Sequence, residues 1–181
     1  MFVRADYDQY AHVSAADQRW IPSPQAGVER VLLDRAGDEV AVATSLVRYA
    51  PGSAFPGHKH TLGEEFIVLE GEFGDEHGRH PAMSYVRNPP GTAHVPFSDP
   101  GCTIFVKLRQ FSLDDHDQFS RTIDPVLPDH GWLTQCLFND GREKVDVIAA
   151  AANTPVRLSA DYFCRELLVL KGSIDWQVDV T

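Results

Sequence analysis

Gly52-Ser53-Ala54-Phe55-Pro56-Gly57-His58-Lys59-His60-Thr61-Leu62-Gly63-Glu64 is followed by Gly71, and Pro89-Pro90-Gly91-Thr92-Ala93-His94 comes after it. In an extended chain, residues two apart share a face, so His58 and His60 can aim both imidazoles at one point. Glu64 lies a further even step along, beyond a Thr61-Leu62-Gly63 break, and can rejoin that face on the next segment. His94 arrives from a different strand, just after a Pro-Pro-Gly turn. Three imidazoles and one carboxylate make a mixed nitrogen and oxygen donor set, suited to one divalent transition metal. Glu65 is the rival carboxylate, but Glu64 shares its parity with Phe66 and Val68 and is therefore the inward-facing one. The expected ligands are His58, His60, Glu64 and His94, gathered inside a barrel.

Composition narrows the classes. A chain of 181 residues, 43% hydrophobic with three tryptophans, can fill a core of its own. Lysine and arginine total 16 and aspartate and glutamate 26, so the net charge is 16 − 26 = −10. An acidic surface repels nucleic acid and anionic membranes, and neither is expected as a partner. No basic run, membrane-length apolar run or signal peptide is visible. Cys102, Cys136 and Cys164 form no Cys-x-x-Cys pair and read as free thiols in a reducing compartment. The expectation is a soluble, cytoplasmic protein.

Short apolar runs recur at strand length, over Val28–Leu33, Val40–Tyr49, Glu65–Glu70, Ser84–Arg87 and Thr103–Leu108. Glycine and proline turns separate them, and convincing amphipathic helices are absent, which predicts an all-β barrel or sandwich. Ile104, Val106 and Leu108 alternate with Thr103, Phe105 and Lys107 as in a half-buried strand. Ile67 and Leu69 are apolar on the face opposite Phe66 and Val68, so this strand needs cover on both sides. A partner subunit, giving a homodimer, or a second packed unit would supply it. Residues 112–144 read as a connector, with Trp132 and Leu133 as candidate anchors. Residues 145–181 weakly repeat the head: Arg165-Glu166-Leu167-Leu168-Val169-Leu170-Lys171-Gly172 lies over Glu64-Glu65-Phe66-Ile67-Val68-Leu69-Glu70-Gly71. That overlay puts Ser159, Asp161 and Arg165 in place of His58, His60 and Glu64, so the partial second unit is expected to hold no metal.

The two motifs resemble those of cupins, Gly-x5-His-x-His-x3-Glu-x6-Gly and Gly-x5-Pro-x-Gly-x2-His-x3-Asn. The first fits throughout; the second fits at Pro89, Gly91 and His94, with Met83 in place of its leading glycine and Ser98 in place of its closing asparagine. The turn before Ser84 is therefore expected to depart from the usual shape. A closer resemblance runs from about Arg19 to Phe111. Glu64–Gly71, Asp75-Glu76-His77-Gly78, Arg87-Asn88-Pro89-Pro90-Gly91 and Gly101–Leu108 look like the cupins of ChrR-type anti-sigma factors, which sense oxidative stress. The resemblance implies a cupin jelly-roll barrel over residues 1–111 and a partial degenerate cupin unit over 145–181. It also implies zinc as the metal, with iron, manganese or nickel as alternatives. The helical sigma-binding zinc domain of such proteins, with its His-x3-Cys-x2-Cys motif, finds no counterpart here, so sigma sequestration is not expected to carry over.

Other residues divide between sharp and plain readings. Tyr85 and Arg87, just before the Pro-Pro-Gly turn, and Phe66, on Glu64's face, are candidates to contact a small molecule in the barrel. For Tyr85 and Arg87, cross-strand surface pairing is an equal alternative. His77 and His80 read as solvated turn residues, Asp114–Asp117 as a solvated run, and Cys102 as a small buried thiol. Two function classes follow. In one, the cupin is a sensing or binding module whose zinc has all four positions filled by protein. In the other, it is a cupin metalloenzyme, either an iron dioxygenase of the diketone-cleaving type or a metal-assisted isomerase or hydrolase. No further acid or base is backed by a motif, so catalytic residues stay unassigned.

Overall fold

The computed structural model describes residues 1–38, 40–158 and 164–175. The chain opens with β1 (Phe2–Val3), a single 3-10 turn (Ala15–Asp17) and β2 (Ile21–Pro22), then the long hairpin β3 (Val28–Gly37) and β4 (Ala41–Tyr49). β5 (Ser53–Ala54) and β6 (His58–Lys59) lead into β7 (Glu64–Asp75). β8 (Gly78–Pro81), β9 (Ser84–Asn88), β10 (Ala93–His94), β11 (Phe97–Ser98) and β12 (Cys102–Leu108) complete the barrel. β13 (Phe119–Thr122), β14 (Trp132–Asn139) and β15 (Lys144–Ala150) follow. The runs picked out in the sequence are the cores of β3, β4, β7, β9 and β12. No helix among the described residues is long and apolar enough to cross a membrane.

The main sheet runs β1-β3-β4-β12-β7-β11-β5, with β2 on β3, β8 and β9 on β7, and β13 on β9. Cross-strand register decides what each face holds. Val106, Phe66 and Val86 line up inward, and with Val28, Tyr49, Val68, Phe73, Cys102 and Ile104 they fill the barrel. One residue along, Thr44, Lys107, Glu65, Arg87 and Phe119 are successive partners across five strands on the outer face. β7 is thus apolar on one side and mixed on the other, and both sides are covered.

The outer cover comes from the same chain. Ile67 and Tyr85 pack with Ile123, Leu137, Phe138 and Val147, which β14, β15 and the residues after β13 supply. The stretch 112–144, read as a connector, therefore holds β13, which pairs with β9, and β14, which pairs with β15. This hairpin shares a feature with β3–β4: one register shift, at Leu32/Asp34 in the first and Cys136/Phe138 in the second. Trp132 and Leu133 are exposed rather than anchored on the barrel. In the tail read as a degenerate repeat, residues 164–175 form no strand, Arg165 is exposed, and Ser159 and Asp161 lie outside the described residues.

Glu166 fixes that tail to the barrel. Its carboxylate accepts from Thr44 Oγ1 at 2.9 Å and pairs with Lys107 Nζ at 2.7 Å, and Thr44 and Lys107 are cross-strand neighbours. Burial would raise the Glu166 carboxyl, but the Lys107 ammonium, joined by hydrogen bonds from Thr44 and Asp34, outweighs it and holds the group below the usual carboxylate range.

The turn before Ser84 keeps the glycine-like shape despite its methionine. Met83 adopts φ 67, a left-handed conformation that β-carbon crowding makes costly. Its backbone bonds on both sides hold it there, Met83 N–H to Val68 O at 2.7 Å and Ile123 N–H to Met83 O at 2.7 Å.

Candidate metal centre

Short elements place each donor. β6 and β10 pair so that His94 lies directly opposite His58. His60 leaves β6 and is tied to the Pro-Pro-Gly turn, its N–H donating to Thr92 O and its carbonyl accepting from Gly91 N–H, both at 2.8 Å. Gly63 then turns the chain at φ +77; a Cβ there would stand 2.3 Å from the Phe111 ring, so only glycine lets the chain pass. Glu64 opens β7 immediately afterwards, opposite Leu108 and Asn88.

The four side chains converge as expected: one donor atom from each of His58, His60, Glu64 and His94 lies within 4.8 Å of the others. Glu64 Oε1 is 3.5 Å from His60 Nε2 and 3.4 Å from His94 Nε2. Two donors about 2.1 Å from one ion at a tetrahedral angle stand about 3.4 Å apart, so this spacing suits a shared metal. The three imidazole centroids lie 4.6–5.1 Å apart. Phe55 meets His58 and Phe73 meets His94, which gives the site an apolar wall.

Each imidazole is held through its Nδ1. His58 Nδ1 meets Pro56 O at 3.0 Å, an acceptor only. His60 Nδ1 meets Thr92 Oγ1 at 2.9 Å, and that hydroxyl already donates to Pro89 O at 2.8 Å, so it accepts from the ring. His94 Nδ1 meets Asp75 Oδ2 at 3.1 Å. Acceptors at every Nδ1 put the protons there and turn bare Nε2 lone pairs inward, the arrangement metal-bound histidines use. The Nε2 atoms of His60 and His94 are buried and have no hydrogen-bond partner. Orphaned acceptors of this kind are costly unless something occupies the point between them.

Electrostatics separates the rings. Burial lowers His60 to about 4, despite the nearby Glu64 carboxylate, so its ring is neutral near pH 7. Burial acts the same way on His94, but the Asp75 hydrogen bond and the Glu64 charge outweigh it and raise that ring. Asp75 itself, which burial would raise, is held far below the usual carboxylate range by the His80 ring 3.8 Å away and by hydrogen bonds from His94 and the His77 N–H.

The remaining candidates divide. Phe66 lies inside the barrel, fully buried in its core. Tyr85 and Arg87 lie on the opposite face of β9 from Val86 and do not line the barrel with Phe66. Tyr85 OH donates to Glu65 Oε2 at 2.5 Å, and Arg87 reaches Asp115 Oδ2 at 3.0 Å and Glu143 Oε2 at 2.6 Å. Burial, with repulsion from Glu143, lifts the Glu65 carboxyl to about 7. Asp115 is therefore a buried partner of Arg87 rather than part of a solvated run. His77 is exposed as expected, but His80 is buried beside Asp75, with Nδ1 3.2 Å from Ser120 Oγ. Cys102 is buried, and burial raises its thiol, which disfavours the thiolate that redox sensing needs. Asp75 and Thr92 are the functional residues that sequence reasoning missed. Thr92 sits inside the second motif at a position the pattern leaves open, and Asp75 carries no spacing signal.

A family model described as the ChrR cupin-like domain matches residues 8–112. The chain belongs to this cupin family. Among solved structures, the cupin is similar to Rhodobacter sphaeroides SigE in complex with the anti-sigma ChrR, at 26% identity and a TM-score of 0.45. That match covers 52% of this chain and 51% of the other. A candidate dioxygenase from Nostoc punctiforme is 18% identical with a TM-score of 0.55, over 74% of this chain and 55% of that one. A candidate acetylacetone dioxygenase from Methylibium petroleiphilum is 18% identical with a TM-score of 0.50, over 61% and 86%. At such identity the last two show the cupin fold alone. The match spans about half the length of the ChrR-complex chain and of the Nostoc punctiforme chain. No curated protein matches it.

Proposed function

We propose that this cupin is a metal-bound sensing or binding module, in which one zinc ion held by His58, His60, Glu64 and His94 shapes a small-molecule or oxidant site at the barrel mouth. The observation that carries this reading is the pair of bare, buried Nε2 atoms of His60 and His94 facing one Glu64 oxygen. Four protein donors match a closed tetrahedral zinc site, which has no redox chemistry of its own. The ion would cross-link β6, β7 and β10, so occupancy could be read out as stiffness of the barrel mouth. Elemental analysis of the purified protein tests it: about one zinc per chain is expected, and no stoichiometric metal overturns it.

A cupin metalloenzyme is the second reading, and a different observation favours it. His58 is only half-buried, and Pro56, Gly57 and Val95 beside it are exposed, so one side of the donor set opens to solvent. An oxygenase needs such an approach for its substrate, and a bound metal would supply Lewis acidity or oxygen chemistry there. Stoichiometric iron, manganese or nickel, with oxygen uptake on small diketones, would favour this reading over the first.

A further inference from the structure

His58 and His60 take their orientation from Pro56 and Thr92, within or beside the motifs that carry them. His94 does not. Its Nδ1 is bound by Asp75, nineteen residues away at the end of β7. Asp75 is buried and divides its two oxygens. Oδ2 meets His94 Nδ1 at 3.1 Å, and Oδ1 accepts from His77 N–H at 2.8 Å and Gly78 N–H at 3.1 Å. His80 Nε2 stands 3.8 Å from Oδ1, and its Nδ1 is 3.2 Å from Ser120 Oγ on β13. The carboxylate is thus clamped on the turn side and offers its second oxygen to one imidazole.

We infer that Asp75 is the positioning residue of the metal centre: it fixes His94 as the Nδ1–H tautomer and points the bare Nε2 at Glu64 Oε1. A carboxylate can only accept, so the proton between Asp75 and His94 belongs to the ring. Hydrogen bonding from a ligating histidine to a carboxylate also raises the basicity of the nitrogen that binds the metal. The same residue shapes the β7–β8 turn, so a test must separate turn-making from positioning. Asp75→Asn does so. The amide oxygen keeps the His77 and Gly78 N–H bonds, while the amide N–H₂ group faces His94. Two donors cannot face each other, so the ring must carry its proton on Nε2, where it blocks the metal.

The inference rests on the metal reading above for its purpose, but its first measurement needs no metal. Long-range ¹H–¹⁵N spectra of the metal-free wild-type protein, at a pH where the ring is neutral, should show the His94 proton on Nδ1. In Asp75→Asn it should move to Nε2, and zinc affinity measured by chelator competition should fall about 10–100-fold. A wild-type His94 protonated on Nε2 overturns the inference, as does a folded Asp75→Asn protein with unchanged zinc affinity. Should the variant not fold, the wild-type spectrum decides alone. A wild-type Nδ1–H tautomer in a protein that binds no zinc sustains the positioning role and removes the metal reading.

Discussion

Glu64 and Glu65 are sequence neighbours in opposite environments, and strand parity alone separates them. Glu64 faces three imidazoles; Glu65 faces Tyr85, Lys107 and Arg87 on the outer sheet. His94→Ala or His60→Ala should therefore abolish stoichiometric metal, measured by elemental analysis, since each leaves a gap that no neighbour fills. Metal removal should also lower stability. At free metal 100 times Kd, the bound ion contributes about 2.7 kcal/mol, or roughly 5–10 °C of melting temperature in a chain of this size. A chelator-treated protein that melts where the untreated one does would sink the claim. Arg87 supplies the contrasting experiment. It is fully buried, with its cation within reach of Glu65, Asp115 and Glu143. Arg87→Met leaves those carboxylates without their cation and should cost about 3–5 kcal/mol. Metal stoichiometry in the folded variant should be unchanged, because the side chain lies across the sheet from the donors. Loss of metal at full stability would instead place Arg87 in the site.

At the scale of elements, the tail after Cys164 offers a pH test. Glu166 is depressed in the folded protein, so its contribution is present above the unfolded value of 4.5 and is lost as pH falls through the folded value. Amide protection of residues 164–175, taken as the exchange rate relative to an unstructured chain at the same pH, should fall as the protein is acidified through that range. Glu166→Gln should exchange fast at neutral pH as well; equal protection in variant and wild type would show that the Lys107 pair does not hold the tail. The same pair illustrates what was legible in the sequence. β3, β4, β7, β9 and β12 could be read because each is an apolar run between glycine or proline turns. The metal donors could be read because their spacing is local. Tyr85 and Arg87 were placed by nearness to the Pro-Pro-Gly turn, although alternation within Ser84–Asn88 sets them opposite Val86 and was the available signal. Asp115, Asp75 and Glu166 could not be read, because each finds its partner far away in sequence, where no local spacing signals it. β14 and β15 were blurred because their faces are only partly apolar, so half of the hairpin read as a connector.

For the whole molecule, the pattern of β7 poses the question that the later third of the chain answers. A strand that carries apolar residues on both faces needs two covers, and β7 receives the barrel core on one and Ile123, Leu137, Phe138 and Val147 on the other. The family match ends at residue 112, just where this second cover begins. A barrel made of residues 1–112 alone would therefore expose Ile67, Tyr85 and the Glu65–Arg87 pair on one continuous face, with Arg87 stripped of its Asp115 and Glu143 partners. Its donors would be intact, yet the face would favour association, since large exposed apolar patches are rare on monomers. The expected outcome is a fragment that aggregates, or that is recovered only as a dimer through that face. Ile67→Thr with Tyr85→Lys should improve its solubility, because both changes remove apolar area from the uncovered side without reaching the barrel interior. Light scattering and calorimetry decide it. A soluble monomeric fragment with a cooperative melt and full metal would mean that the barrel needs no outer cover. The segment after residue 112 would then owe its place to something other than burying the back of β7 and β9.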